Sequence, residues 1–330
     1  MTDASAAAAP AAAPGAAGAA GAPGAVAGTP IHYGSWTQGM DAKPALLTET
    51  GRTIGRPMSI ASIFRGKGDT WPYPGDVQLG SGRILLVSWS LEDWGGYAWW
   101  AAGHGDAILK EQATRLKAYR GTVALRPWAE MNGDWAAHQP LPAGGQQKAR
   151  GGTPAQFNAA WRRVVTLFRQ QGVTNVRWVF NPTTDTYAGT TDIRSIWPGA
   201  GYVDVLGLDG YNWGDGAGLR WRSFTDIYTE QYRRLVALKP GAPVWICEIS
   251  SADPTSRGAG PAVSAPAGQS KARWWLDMHA ALRTGFPAVQ AVVLFDANKE
   301  RNWLVRSSPA AATGLAQALR TPVTRPSLAL

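Results

Sequence analysis

From residue 30 onward the chain repeats one pattern. Short runs dense in Val, Ile, Leu and aromatic residues alternate with longer stretches whose apolar residues fall three or four apart. The first kind reads as buried strands, the second as amphipathic helices with one face on a core. Eight runs qualify as strands: residues 31–36, 58–64, 83–89, 123–128, 176–181, 203–211, 244–249 and 291–296. Helices are marked where caps coincide with periodicity. Thr153-Pro154-Ala155-Gln156 supplies an N-cap, a proline in the first turn and a capping-box Gln, and Phe157, Ala160, Trp161, Val164, Val165 and Phe168 then share one face. Ser223 opens a second helix with Phe224, Ile227, Tyr228, Tyr232, Leu235 and Val236 as its stripe, and Ser308-Pro309 opens a last one. Helices over 106–119 and 270–283 fill their slots, whereas 37–57 and the Gly/Pro-rich 65–82 assign no element. Eight strands with intervening helices predict an α/β fold, a (β/α)8 TIM barrel. A doubly wound open sheet is the runner-up, and the lack of G-x-G-x-x-G after the first strand counts against a dinucleotide fold.

Residues 1–29 depart from this pattern. They are almost entirely Ala, Gly and Pro, too poor in apolar bulk to offset their ordering entropy, so a disordered leader or linker is expected there. The chain then divides into that leader, one barrel domain over 30–322 and a tail over 323–330. The leader lacks the basic start and Leu/Val-rich centre of a secretory signal. No apolar run approaches the ~18 residues of a membrane span. The single Cys, Cys247, excludes an internal disulfide or a multi-cysteine metal site, and its apolar neighbours make it a small core residue. The net charge of +9 would suit nucleic acid, but Lys and Arg are scattered without a binding run, so a basic surface with no nucleic-acid partner is the reading. Seventeen Trp against seven Phe is a different signal, since Trp offers sugars a broad apolar face with a polar edge.

In a (β/α)8 barrel the chemistry lies at the C-terminal ends of the strands. The fourth strand runs into RPWAEMNGDW (126–135), delivering Glu130 between Trp128 and Trp135. The fifth ends in Asn181, the sixth carries Asp209, Tyr211 and Trp213 in LDGYNW, the seventh ends in Glu248 within WICEISS, and the eighth ends in Asp296. Two glutamates from the fourth and seventh strands would therefore meet at one mouth. Paired carboxylates among aromatic rings suit glycoside hydrolysis, one protonated to serve the leaving oxygen and the other facing the anomeric carbon. The four histidines have no H-x-x-x-H spacing, so no catalytic metal or other cofactor is expected. Ser250 and Ser251 have no evident His/Asp partners for a serine hydrolase.

RPWAEMNGDW, LGLDGYNW, WICEISS and LFDANKERNW together, in this order and spacing over about residues 31–320, resemble glycoside hydrolase family 26, a family of retaining β-glycanases best known for β-mannanases. The resemblance implies double displacement with Glu130 as acid/base and Glu248 as nucleophile. It implies that Tyr211 hydrogen-bonds the nucleophile, that Arg126 behind the pair keeps Glu248 ionised, and that Asp209 and Trp135 line the subsites next to cleavage. Two positions depart from the family: Ala129 stands where a His is common, and Leu294 stands where a stacking Trp is expected. His104 or Trp89 would be placed to compensate. Trp94, Trp99 and Trp100 after the third strand would form a platform for extended glycan.

The expected activity is an endo-β-glycanase on a polysaccharide partner, β-1,4-mannan first. Mixed-linkage β-glucan, xylan or a bacterial exopolysaccharide are alternatives, and a non-catalytic carbohydrate-binding protein on the same scaffold is the alternative of another class. A monomer that is secreted or periplasmic fits such a substrate.

Overall fold

The computed structural model of the protein describes residues 28–216 and 218–325. The expectation of a disordered leader falls almost wholly on residues 1–27, which lie outside the described residues. Eight parallel strands close into a barrel: β1 (His32–Thr37), β2 (Ile60–Arg65), β3 (Ile84–Trp89), β4 (Val123–Pro127), β5 (Val176–Phe180), β6 (Val205–Asn212), β7 (Val244–Ser251) and β8 (Val289–Asp296). β8 pairs back onto β1 along its full length, His32 with Ala291 through Thr37 with Asp296. The predicted barrel is the observed one, with strand ends shifted by at most two residues. Thr29–Pro30 pairs antiparallel with Thr324–Arg325, and Val323 is buried, so residues 323–325 pack with the barrel.

Helices ring the strands where the caps place them. Thr153 and Ser223 each accept from the backbone N–H of the third residue of their helices, Pro154–Gln170 and Phe224–Leu238, and both capping boxes close. The stripes follow the sequence pattern, except that Val236 is only partly buried. The two unassigned stretches contain the helices Ala45–Ile54 and Pro74–Gly80. Between β5 and β6 the described chain has only the single turn Ala200–Tyr202 in place of a long helix.

The core has two layers because a strand's side chains alternate. Val123 and Leu125 face outward to the helices, while Ala124 faces inward with Ile60, Leu86, Val179, Val205, Trp245, Cys247, Ala291 and Val293. Continuing that alternation aims Arg126 and Asp209 down the barrel axis. β7 breaks the rule. Leu208 pairs with Ile246 but Asp209 pairs with Glu248, so Cys247 is an extra residue against β6. This bulge lets both Cys247 and Glu248 lie toward the interior, where strict alternation would turn Glu248 away.

Thr153 caps the longest described helix, so Thr153→Ala should cost about 1 kcal/mol. The measurement is the urea midpoint, with activity unchanged because the cap lies outside the barrel mouth.

Candidate active site

β4 ends in a turn built on two non-glycine residues with left-handed backbone, Trp128 (φ 52°) and Glu130 (φ 57°). Such conformations cost on the order of 1 kcal/mol each and persist only where neighbours hold them. Here the Trp128 N–H donates to the Trp89 carbonyl at 3.2 Å and the Glu130 N–H to the Asn181 carbonyl at 2.8 Å. The turn sends the Trp128 ring outward, against Tyr97 (5.4 Å), Phe157 and Trp161, and leaves the Glu130 carboxyl at the mouth.

Beneath it Arg126 is fully buried. Its Nη1 donates to Asp209 Oδ2 at 2.8 Å, its Nη2 donates to Glu248 Oε1, and the Phe64 ring lies 5.6 Å from the guanidinium carbon. The second oxygen of Glu248 accepts from the Tyr211 hydroxyl at 2.6 Å. Tyr228 shares its hydroxyl proton between the carbonyls of Gly210 (2.8 Å) and Glu248 (3.2 Å), fixing the bulged backbone from outside the barrel. Both carboxylate oxygens of Glu248 thus have fixed donors, and among the described residues Glu130 has no cation in direct contact.

Three carboxyls, Glu130, Asp209 and Glu248, surround one guanidinium. Withdrawal from water pushes the Glu130 proton affinity up to about 7; the charge of Glu248 adds to this, and Arg126 and a contact from Trp135 oppose it. Burial likewise drives the Asp209 carboxyl up against the pull of Arg126, with Glu248 and Glu130 adding to the rise. Glu130 is the member that can hold a proton near neutral pH while facing the mouth.

Trp135 is 53% exposed beside Glu130, and Tyr187, 49% exposed, donates its hydroxyl to Asp134 at 2.6 Å. On the other side of Arg126 stands Phe64, 39% exposed, edge-on to Trp36, which stacks on Phe295 at 4.9 Å. One exposed aromatic residue therefore stands by Glu130 and another by the guanidinium of Arg126.

Several residues expected to touch a sugar do not reach solvent. Trp128 is core, as described. Trp89 is buried among Trp71, Trp94 and Phe168. Asp296 is buried and accepts from Thr50 (2.9 Å), Thr37 (3.3 Å) and the Val305 N–H (2.7 Å), so it ties the helix Ala45–Ile54, the end of β1 and the loop after β8 together. Asp209 and Asn181 are sealed in the barrel, where Asp209 serves as counter-ion to Arg126 and Asn181 faces it through the gap left by Gly207. Any Cβ at Gly207 would sit 2.4 Å from the Asn181 side-chain oxygen, which accounts for that glycine. Trp100 is buried with its indole N–H on the Leu91 carbonyl, and Trp94 and Trp99 are only partly exposed, so the three-ring platform is reduced. His104 lies against Trp99 (5.8 Å), and Trp213 packs on Trp303 beneath Arg301.

Phe64, Trp36 and Phe295 were missed by sequence reasoning, although each stands at or next to the end of a predicted strand. Asking which aromatics occupy those ends would have found them. The expected loss of an aromatic surface at Leu294 needs the same correction: Leu294 points outward into the helix layer, while Phe295 faces inward and packs against Tyr211 at 5.7 Å. Among the described residues no cluster of His, Cys, Asp and Glu is arranged to hold a metal, and no helix is long and apolar enough to cross a membrane.

Comparison with known proteins bears on the same segment. The family model described as Glycosyl hydrolase family 26 matches residues 103–248, which hold Arg126, Glu130, Asp209, Tyr211 and Glu248. Endoglucanase H of Acetivibrio thermocellus is 33% identical over 291 residues, 87% of this chain but 30% of that protein. Mannan endo-1,4-beta-mannosidase A and B of Caldalkalibacillus mannanilyticus is 34% identical over 123 residues, 37% of this chain and 21% of that protein. The chain thus spans a third or less of the curated relatives it matches. Among solved structures, a modular endo-beta-1,4-mannanase from Cellulomonas fimi superposes with a TM-score of 0.61 at 18% identity, covering 89% of this chain and 71% of that one. The Bacillus subtilis mannanase BCman gives 0.58 at 17%, covering 87% and 85%. At such identity these two speak to the fold.

A carboxyl that binds its proton more tightly folded than unfolded adds stability at low pH and loses it as pH rises. Between the ordinary glutamate value and about 7, ionising Glu130 should therefore cost stability progressively. Glu130→Gln, a stand-in for the protonated acid, should raise the thermal midpoint relative to wild type at pH 8 and leave it unchanged at pH 4. Equal midpoints at both pH values would mean that Glu130 titrates normally.

Proposed function

We propose that this chain, which belongs to glycosyl hydrolase family 26, is a retaining endo-β-glycanase with Glu130 as acid/base and Glu248 as nucleophile. The observation that carries the reading is the asymmetry of the two carboxyls: Glu248 is held on both oxygens by Arg126 and Tyr211, while Glu130 lacks a direct cation among the described residues and keeps its proton up to about pH 7. One carboxylate is fixed as a nucleophile and the other is poised as an acid, which is the division that double displacement requires.

In the first step the Glu130 proton passes to the glycosidic oxygen as its bond to the anomeric carbon breaks, and a Glu248 oxygen bonds that carbon. Glu248 is then a neutral ester. Its negative charge is one of the causes holding the Glu130 proton on, so losing it lowers the proton affinity of Glu130 just when a base is needed. Glu130 next takes a proton from water, the water oxygen bonds the anomeric carbon, and Glu248 leaves as carboxylate. Two inversions give net retention.

The exposed rings around the site, Trp135 and Tyr187 near Glu130 and Phe64 by Arg126, suit a sugar chain that extends past the cleavage point, in keeping with endo action. For the substrate, a β-glucan takes first place. The likeness to Endoglucanase H runs over 87% of the chain, whereas that to the mannosidase covers 37%. Ala129 also offers no side-chain hydrogen bond where the family commonly has His. β-1,4-Mannan, expected first from the family alone, is the second reading, favoured by the mannanase relatives. A polymer of this size is met outside the cytoplasm, so a secreted or periplasmic protein goes with the reading. Every group of the site comes from one chain, so a monomer would suffice.

Product analysis on β-glucans, β-mannans and xylan should give internal cleavage with the β-anomer formed first, seen by NMR of the fresh reducing end. The α-anomer first would exclude retention. Glu130→Ala should cost about 10²–10⁴-fold on polymer and far less on activated aryl glycosides, while Glu248→Ala should cost more on both. Wild-type rates in both variants would sink the assignment. Because the protonated form of Glu130 is the active acid, kcat/KM should fall as pH rises through about 7. Phe64→Ala should raise KM for polymer without changing the pH profile.

A further inference from the structure

Next to Glu130, but outside the pair that does the chemistry, two further titratable side chains are packed together. Glu92 comes from the single turn after β3, and His138 from the loop after β4. Their side chains are only 15% and 10% exposed. The backbone carbonyl of His138 accepts from the buried Tyr97 hydroxyl at 2.6 Å, which anchors the base of the ring. Ring Nε2 lies 3.1 Å from the Ala129 carbonyl oxygen, and ring Nδ1 lies 3.5 Å from Glu92 Oε1. The other Glu92 oxygen is buried without a partner among the described residues.

We propose that Glu92 and His138 are positioning residues for Glu130, acting through the Ala129–Glu130 peptide. That peptide carries the left-handed turn, with Glu130 at φ 57°. Its N–H end is held by the Asn181 carbonyl at 2.8 Å, and its C=O end by His138. With both ends of one peptide held, the plane that sets the Glu130 side-chain direction cannot flip toward ordinary backbone. A carbonyl only accepts, so Nε2 must carry a hydrogen. Nδ1 then faces Glu92 Oε1 at 3.5 Å, an ion pair whenever the ring is protonated, and that pair is neutral overall. Glu92 thereby fixes which ring nitrogen faces Ala129, at no net charge beside an already acidic site. The charged groups facing Glu92 are His138, Asp93 and Arg150; those facing Glu130 are Glu248, Arg126 and Asp185. Glu130 has no direct contact with the pair, so its effect reaches the acid only through the peptide.

The inference rests on Glu130 being the acid, and the test separates the two claims. The carboxyl titration of Glu130 is followed by ¹³C NMR in the full chain, assigned with Glu130→Gln. His138→Ala, which frees the carbonyl and lets the turn open to water, should lower the proton affinity of Glu130 roughly tenfold. His138→Gln, which can still donate to Ala129, should largely restore it. Glu92→Leu, which leaves the ring in place but unsupported, should give a smaller fall and serves if His138→Ala does not fold. With polymer and with an activated aryl glycoside, the same variants should lose kcat mainly on the polymer, with little change in KM. If the titration of Glu130 and the leaving-group dependence stay at wild-type values while only the melting temperature drops, the pair is structural and the proposal is overturned. The NMR result needs no turnover, so it decides the inference even if the glycanase reading fails.

Discussion

One guanidinium, sealed in the barrel, sets the terms for everything above it. Arg126 comes inward because β4 alternates, and once inside it must be paired, since an isolated buried cation would cost far more than the fold could supply. Asp209 and Glu248 meet that need from β6 and β7, arriving by different means. Asp209 arrives by ordinary alternation and stays buried as counter-ion. Glu248 arrives through the bulge at Cys247 and keeps one oxygen for the Tyr211 hydroxyl at the mouth. A ring of apolar side chains, from Ile60 round to Val293, closes the barrel below and keeps water from screening the charges.

The same shortage of cations separates the two glutamates. One positive charge cannot neutralise three carboxyls, and the two in contact with it are Asp209 and Glu248. Glu130, withdrawn from water, feels Glu248 as a repulsion and Arg126 only at a distance, so it is the acid at the mouth that keeps its proton. No special feature of Glu130 itself is required. Its role follows from its burial and from what Arg126 already holds. The scattered surface Lys and Arg that make the chain +9 do not enter, because solvent screens them from the mouth.

What could be read from the sequence follows from which signals are local. Strands buried on both faces write themselves as apolar runs, and capping boxes mark helix starts, so all eight strands and the helices opening at Thr153, Ser223 and Ser308 were legible. Glu130 and Glu248 were legible too, as acids just past apolar runs. Exposure was not. Trp128 and Trp135 look alike in RPWAEMNGDW, yet the two left-handed residues turn one ring into the core and leave the other in solvent. No local pattern shows that rotation. Trp89, Asn181 and Asp296 fail similarly: being at a strand end does not say whether a side chain faces water or the neighbouring loop. The bulge at Cys247 is a register event between strands, invisible in WICEISS alone. Glu92 and His138 lie on different loops, and nothing in either stretch pairs them.

The turn at residues 128–130 joins these threads. A strand that continued straight from Arg126 would carry the acid past the mouth; two left-handed residues instead double the chain back within three positions, so that one segment supplies both the buried cation and the acid above it. The strain of that turn has to be met by bonds outside it, and among the described residues those bonds come from four places: the Trp89 carbonyl of β3, the Asn181 carbonyl just after β5, the Gly133 N–H, and the His138 ring. The first three are backbone groups, two of them at the ends of the neighbouring strands, which barrel closure places whatever the side chains. The His138 contact alone depends on a side chain, and on Glu92 to orient it. The acid's direction is therefore set mostly by barrel geometry and finally by one imidazole, which makes that contact the point where substitution could retune Glu130 without disturbing Arg126 or the strands.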